Sequence, residues 1–316
     1  MAAFGRIITV GLSPCWDTVY RVAGIDWGEH KLVGLPSCRP AGKALNISRA
    51  LAWLGQESTA AGLWGRDDYG RMVEAMRPLR QLVGIRMTQV EPETRRNVTV
   101  VDTLRGREMH LRTKSELVSR KALPVLKADL GQMIKRGSVC VFAGQMAEAR
   151  FTEDVVRLIR FCGRCGARVV LDTWGDALRR SVDGGIAWLI KPNVEELREL
   201  LGQRVRDTPA SLAKAGRRLL DRVEMVLISR GQKGAVAVTK GGAWEGRAAG
   251  RARAISTVGC GDYLLAGFLK GLKDTSEVGS ALETAIEVAT AKAWGWTESK
   301  GPARVRRGIR VEVERI

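Results

Sequence analysis

Gly259-Cys260-Gly261-Asp262 sets two glycines around one residue, follows them at once with a carboxylate, and runs into the apolar stretch Tyr263-Leu264-Leu265-Ala266-Gly267-Phe268-Leu269. Small residues ahead of a helix leave backbone N–H groups unpaired and pointing one way. The helix dipole adds partial positive charge there, so the place favours an anion. A carboxylate beside such a place makes sense when it acts on a neighbour of the anion. In phosphoryl transfer the N–H donors hold the migrating group, and a base in the position of Asp262 takes the proton of the attacking hydroxyl. The plainer reading is a loop with an N-capping aspartate. The residues alone leave both open.

Three other stretches carry chemistry. Pro40-Ala41-Gly42-Lys43-Ala44-Leu45-Asn46 is a second glycine turn opening a helix, now with a cation and an amide. Lys191-Pro192-Asn193-Val194-Glu195-Glu196 sets Asn193 and Glu196 three apart, on one helix face. An amide and a carboxylate together suit a hydrated Mg²⁺, and the same pair spells a capping box. Ser229-Arg230-Gly231-Gln232-Lys233-Gly234 turns one apolar run back into another, as a nucleotide loop or an ordinary hairpin would.

The elements that must position these residues follow a strand–helix rhythm. Buried strands are expected at Arg6 to Leu12, Ser58 to Leu63, Val139 to Gly144, Arg168 to Asp172, Trp188 to Ile190 and Val226 to Ser229. Helices are expected from Lys43 to a C-cap at Gly55, from Arg71 to Leu82 and from Thr152 to Cys162. Ser13-Pro14 breaks the first strand and leaves Asp17 just past its end, where open α/β sheets collect ligands. Thr94 to Val101 and Glu108 to Thr113 read as a hairpin outside this rhythm, a flap or a homodimer surface. The pattern predicts an α/β fold with a mainly parallel sheet covered on both faces. It predicts one domain over residues 1–316, with a small β appendage from about 18–40 and 94–113.

The chain has 316 residues, 45% hydrophobic and 27% charged, with a formal net charge of +18. That excess suits an anionic ligand, yet the basic residues are scattered, which argues against a dedicated nucleic-acid module. Among six cysteines only Cys162 and Cys165 are closely spaced, and helix packing is the expected reason. With His30 and His110 the only histidines, a histidine metal site is not expected. The stretch Met1 to Arg6 has no apolar signal region, and no apolar run approaches ~18 residues. A cytoplasmic protein with reduced thiols and no membrane partner is expected.

Together these motifs resemble the ribokinase-like, or PfkB, family of sugar kinases, from Ile8 to about Pro302. Ser256 to Leu269 resembles the C-terminal signature, with Cys260 as a misfit. Ala41 to Asn46 resembles the glycine–lysine–asparagine motif, and Asn193 to Glu196 the asparagine–x–x–glutamate element. Ser13-Pro14-Cys15-Trp16-Asp17, Thr94-Arg95-Arg96-Asn97 and Lys191-Pro192-Asn193 are similar to the 1-phosphofructokinase and tagatose-6-phosphate kinase branch. The resemblance implies a three-layer α/β/α fold with a β-sheet lid, and ATP and Mg²⁺ as cofactors. The implied substrate is a sugar phosphate, first of all fructose 1-phosphate, with a tagatose phosphate, an unphosphorylated sugar or a nucleoside as alternatives. Asp262 would be the base beside Gly259, Cys260 and Gly261. Asp17, Gly42, Lys43, Asn46, Arg95 and Asn97 would hold the sugar, with Lys43 and Arg95 on its phosphate. Lys191, Asn193, Ser229, Gly231, Gly234 and Thr257 would serve ATP, with Asn193 and Glu196 on Mg²⁺ through water. Ala44, Cys260 and Tyr263 depart from the family pattern. They motivate a further alternative, a sugar-phosphate-binding regulator. Tyr263 is expected in helix packing rather than in the sugar pocket.

Overall fold

The computed structural model describes residues 5–250, 254–255 and 257–316. Met1 to Phe4 and Ser256, which enter the sequence reading, lie outside them. The strands are β1 Ile7–Gly11, β2 Cys15–Val22, β3 Ser37–Ala41, β4 Ser58–Gly65, β5 Val83–Val90, β6 Arg96–Asp102, β7 Arg107–Leu111, β8 Val139–Ala143, β9 Arg168–Asp172, β10 Leu189–Ile190, β11 Met225–Ser229, β12 Ala235–Thr239, β13 Gly242–Ala249 and β14 Arg310–Arg315. The helices are α1 Lys43–Trp53, α2 Tyr69–Met76, α3 Ala122–Met133, α4 Thr152–Arg164, α5 Gly175–Asp183, α6 Val194–Leu201, α7 Pro209–Arg217, α8 Cys260–Thr275, α9 Val278–Ala293 and α10 Pro302–Arg306.

The large sheet runs β14-β13-β12-β11-β10-β9-β8-β1-β4-β5. It is parallel from β5 to β11, and β12, β13 and β14 continue it antiparallel. Parallel strands buried on both faces read as near-continuous apolar runs, and β8 shows why. Cys140 and Phe142 face one core with α3 to α7, while Val139, Val141 and Ala143 face the other with α1, α8 and α9. The result is the expected three-layer α/β/α fold. Cys162 is buried in the first core and Cys165 packs at its margin. Among the described residues no helix is long and apolar enough to cross a membrane.

A separate sheet runs β3-β2-β6-β7. Three details depart from the sequence reading. Strand β2 begins at Cys15, so Asp17 lies inside the small sheet rather than in a loop after β1. Residues 23–36 of the expected appendage contain no strand. Helix α2 passes at Met76 into a 3-10 turn, Arg77–Leu79, because Pro78 lacks the N–H that would continue the ladder. The small sheet is rooted by Trp16, which packs edge-on to Trp64 at 5.7 Å, lies under the Arg71 guanidinium and donates through Nε1 to Asp68. Thr94 Oγ1 donates to Asp68 Oδ1 at 3.1 Å and accepts the Gly65 N–H at 2.8 Å, fixing the entry to β6.

Candidate active site

Helices α1 and α8 both start beside the C-terminal ends of the parallel strands. Their N-cap residues are Gly42, φ 119°, and Gly259, φ 80°, and neither has a side-chain cap. Such positive φ is why glycine stands at both places. The capping-aspartate reading of Asp262 therefore falls: the side chain sits in the first turn of α8, and its Oδ2 accepts a 2.8 Å hydrogen bond from Asn46 Nδ2 on α1.

Asp262 is only 4% exposed. Burial, and then the charge of Asp172, push its carboxyl up to about 7 against the pull of Lys43, Asn46 and Lys191. Asp172, at the end of β9, is fully buried. Its Oδ1 accepts from Lys43 Nζ at 2.9 Å and Lys191 Nζ at 3.1 Å, and its Oδ2 has no partner. Burial pushes the Asp172 carboxyl up, and the two ammonium groups more than offset this and hold it below the usual range. Lys43 is raised in turn: burial lowers it, but the Asp172 charge and hydrogen bond prevail. Two carboxylates and two lysines thus form one buried network. The sequence reading had Asp172 only as a strand end, although a carboxylate closing a buried parallel strand is itself a signal.

A cavity of about 1050 Å³ opens above this network. Its walls include Asp17, Gly42, Lys43, Asn46, Arg95, Asn97, Lys191, Asn193, Glu196, Ser229, Thr257, Gly259, Gly261 and Asp262, and basic residues outnumber acidic ones around it. Three expected site residues do not line it: Cys260, Gly231 and Gly234. A Cβ on Gly234 would fall 2.0 Å from Gly246 O, so this glycine answers to the approach of β13. Arg230 of the same turn is bound to Asp207 and Glu245. Asn193 and Glu196 form a capping box, each side chain accepting the other's backbone N–H at 2.9 Å.

Of the departures from the family pattern, Ala44 lines the cavity, whereas Cys260 and Tyr263 do not. Tyr263 does not line it and packs instead against the α1, α8 and α9 core, with Lys292 5.5 Å from its ring centre. The Ala44 methyl lies over Gly11, where a Cβ would meet it at 3.1 Å. Arg95 lines the cavity, and backbone carbonyls take three of its five guanidinium N–H groups. Nε donates to Pro14 O at 3.2 Å, Nη2 to Ser13 O at 3.0 Å and Nη1 to Thr113 O at 2.7 Å.

Residues 7–304 match the family described as pfkB family carbohydrate kinase. The 1-phosphofructokinase of Vibrio cholerae serotype O1 is 27% identical over 286 residues, covering 90% of this chain and 88% of the relative. A tagatose-6-phosphate kinase of Staphylococcus epidermidis is 25% identical, covering 84% and 85%. The crystal structure of Escherichia coli phosphofructokinase-2 in complex with fructose-6-phosphate superposes with a TM-score of 0.85 at 21% identity, covering 96% of this chain and 99% of that one, and supports the fold.

Proposed function

The chain belongs to the pfkB family of ATP-dependent carbohydrate kinases, and we propose that its acceptor is a ketohexose that already carries one phosphate, fructose 1-phosphate at its 6-hydroxyl. The observation that carries this reading is the buried Asp262 at the floor of a cavity whose walls are rich in cations. The names of the two sequence relatives support it.

Asp262 removes the proton of the attacking hydroxyl, and a pKa near 7 suits a base that must be ionised yet basic at working pH. Asn46 fixes the carboxylate through Oδ2 and leaves Oδ1 for the hydroxyl. Asp17, Gly42 and Asn97 orient the sugar. ATP lies against Ser229, Thr257 and Gly259, with the first turn of α8 facing the transferred phosphoryl group. Lys43 and Lys191, held by Asp172, supply positive charge close to the reaction.

A Mg²⁺ ion fits here only through water. The capping box uses Asn193 Oδ1 and Glu196 Oε2 and leaves Glu196 Oε1 for a metal-bound water, and no cluster of three or more metal-binding side chains occurs among the described residues. When bound, such an ion neutralises charge on the ATP phosphates. The small sheet acts as a lid that excludes water once the sugar is in place.

The regulator reading has less support, since Tyr263 and Cys260 do not line the cavity, and Ala44, which does, also packs its methyl on β1. The experiment is a coupled ADP-release assay across phosphorylated and unphosphorylated hexoses. Turnover with fructose 1-phosphate supports the proposal, and ADP release that no sugar stimulates rejects it.

A further inference from the structure

Trp174 is a large aromatic that the phosphoryl-transfer chemistry leaves unused. The chain has nine tryptophans. Seven lie in or against the apolar cores, and Trp27 stands almost fully exposed between β2 and β3. Trp174 belongs to none of the cores and lines the cavity, with 44% of its surface exposed. It stands two residues past Asp172, which ends β9, and is the N-cap residue of α5. Its backbone is extended, with φ −139° and ψ 175°, and the φ of 71° at Gly175 turns the chain away behind it.

The indole is oriented by a charge. Lys43 Nζ lies 5.5 Å from its ring centre, within cation–π range. The same ammonium donates to Asp172 Oδ1 at 2.9 Å. The buried carboxylate thus holds the lysine, and the lysine holds the ring. Among the described residues the indole N–H makes no hydrogen bond. Apolar surface left against water is unfavourable, and a ligand with an apolar side relieves it. Three other exposed large apolar side chains line the cavity, Leu111, Ile255 and Val258. Ile255 and Val258 flank Thr257, against which the proposed reading lays ATP, and Leu111 ends β7 on the small sheet. Trp174 stands instead against Lys43, in the turn of α1 that also carries Asn46.

We propose that Trp174 is the platform on which the ring of the acceptor sugar stacks. This rests on the proposed reading of that acceptor and deepens it. A sugar ring carries C–H groups on its faces and oxygens around its edge. The indole takes one face, and its free N–H takes an oxygen at the edge. A few polar groups of α1 and the small sheet then fix the remaining orientation. Stacking here sets the ring beside the helix turn whose Asn46 holds Asp262. The platform therefore governs the angle at which the acceptor hydroxyl meets the base. Trp174 is on this account a specificity-determining residue that favours cyclic acceptors over open-chain ones.

The test compares Trp174→Ala and Trp174→Phe in the full chain. The residue lies outside the cores, so both variants keep the wild-type Tm. Trp174→Ala raises KM for fructose 1-phosphate about tenfold, and Trp174→Phe, which keeps a ring, recovers most of that, while KM for ATP stays within about twofold in both. Fructose 1-phosphate added without ATP changes the tryptophan emission of the wild type more than that of Trp174→Phe. The proposal is overturned if Trp174→Ala keeps the wild-type KM for the sugar, if Trp174→Phe recovers nothing, or if KM for ATP rises as much as KM for the sugar. An equal emission change in wild type and Trp174→Phe also overturns it. Should the wild type turn over free fructose and no hexose phosphate, the substrate reading fails, and the same measurements with fructose decide the platform. Turnover of fructose 1-phosphate with an unmoved KM in Trp174→Ala defeats the platform alone. If neither sugar is turned over or changes the emission, both fall.

Discussion

Asn46 Nδ2 donates a 2.8 Å hydrogen bond to Asp262 Oδ2 and so joins the first turn of α1 to the first turn of α8. Two glycine-capped helix starts, joined by residues 216 apart in the chain, thereby form one site. The bond also aims the carboxylate. Of its two oxygens, Oδ2 is held by the amide, and the proposed reading gives Oδ1 the substrate hydroxyl.

Asp262→Asn keeps the shape of this contact, because the new amide oxygen still accepts from Asn46. Removal of a general base costs about 10²–10⁴-fold in turnover. We expect that loss in kcat with ATP affinity retained, measured by steady-state kinetics and nucleotide titration. Activity within a few-fold of wild type would remove Asp262 from the role of base.

The same substitution has a stability signature with a definite sign. The folded pKa of Asp262 is raised from 3.8 to about 7, so the folded state binds the proton more tightly than the unfolded chain. That contribution to stability is complete below the unfolded value and is lost as pH rises through about 7. Asp262→Asn has no such loss. It is therefore expected to exceed the wild type in stability above pH 7, by on the order of 1–4 kcal/mol, and to match it below pH 4. Denaturant melts at pH 4, 6 and 8 measure this, and a variant less stable than wild type at pH 8 would contradict it.

Asp172→Asn tests the network under the base. The Asp172 charge raises the Asp262 pKa, and it also holds Lys43 and Lys191. Its removal lowers the Asp262 pKa, so the acid limb of the kcat profile, expected near pH 7 in the wild type, moves to lower pH. It also leaves the buried Lys191 ammonium without its partner, a loss of roughly 3–5 kcal/mol for a broken buried pair. An unmoved acid limb in a variant that remains folded would disconnect Asp172 from the base.

Much of this site was legible in the sequence because its parts lie in short local patterns. The glycine turns at Gly42 and Gly259, Asn46, Asp262 and the strand ends that carry them follow from local geometry, and β8 and β9 read directly as apolar runs. Contacts between distant segments were not legible. Asp172 looks like the last residue of a strand until β9 is laid beside β8 and β10 and two lysines converge on it. That the carbonyls of Ser13, Pro14 and Thr113 hold the Arg95 guanidinium in place depends on segments distant in the chain. Gly231 and Gly234 look like a nucleotide loop, but the approach of β13 accounts for Gly234. The capping box at Asn193 and Glu196 was visible in the spacing, whereas the orientation of its free oxygen required the fold.

Tyr263→Ser addresses the departure nearest the base in sequence. The ring packs against the α1, α8 and α9 core and does not line the cavity. The change is expected to lower Tm, through loss of a partly buried aromatic, and to leave the order of preference among hexose phosphates unchanged. A reversed order with Tm intact would place Tyr263 in the sugar pocket.

The most direct measurement is the ratio of kcat/KM for fructose 1-phosphate to that for free fructose, in one coupled assay with saturating MgATP. The proposed reading, with Asp262 as base in a cavity whose walls are rich in cations, predicts a ratio of about ten or more, since a charge-assisted contact is present for one acceptor and absent for the other. A ratio near one, or faster turnover of the unphosphorylated sugar, would contradict the assignment of this kinase to phosphorylated acceptors.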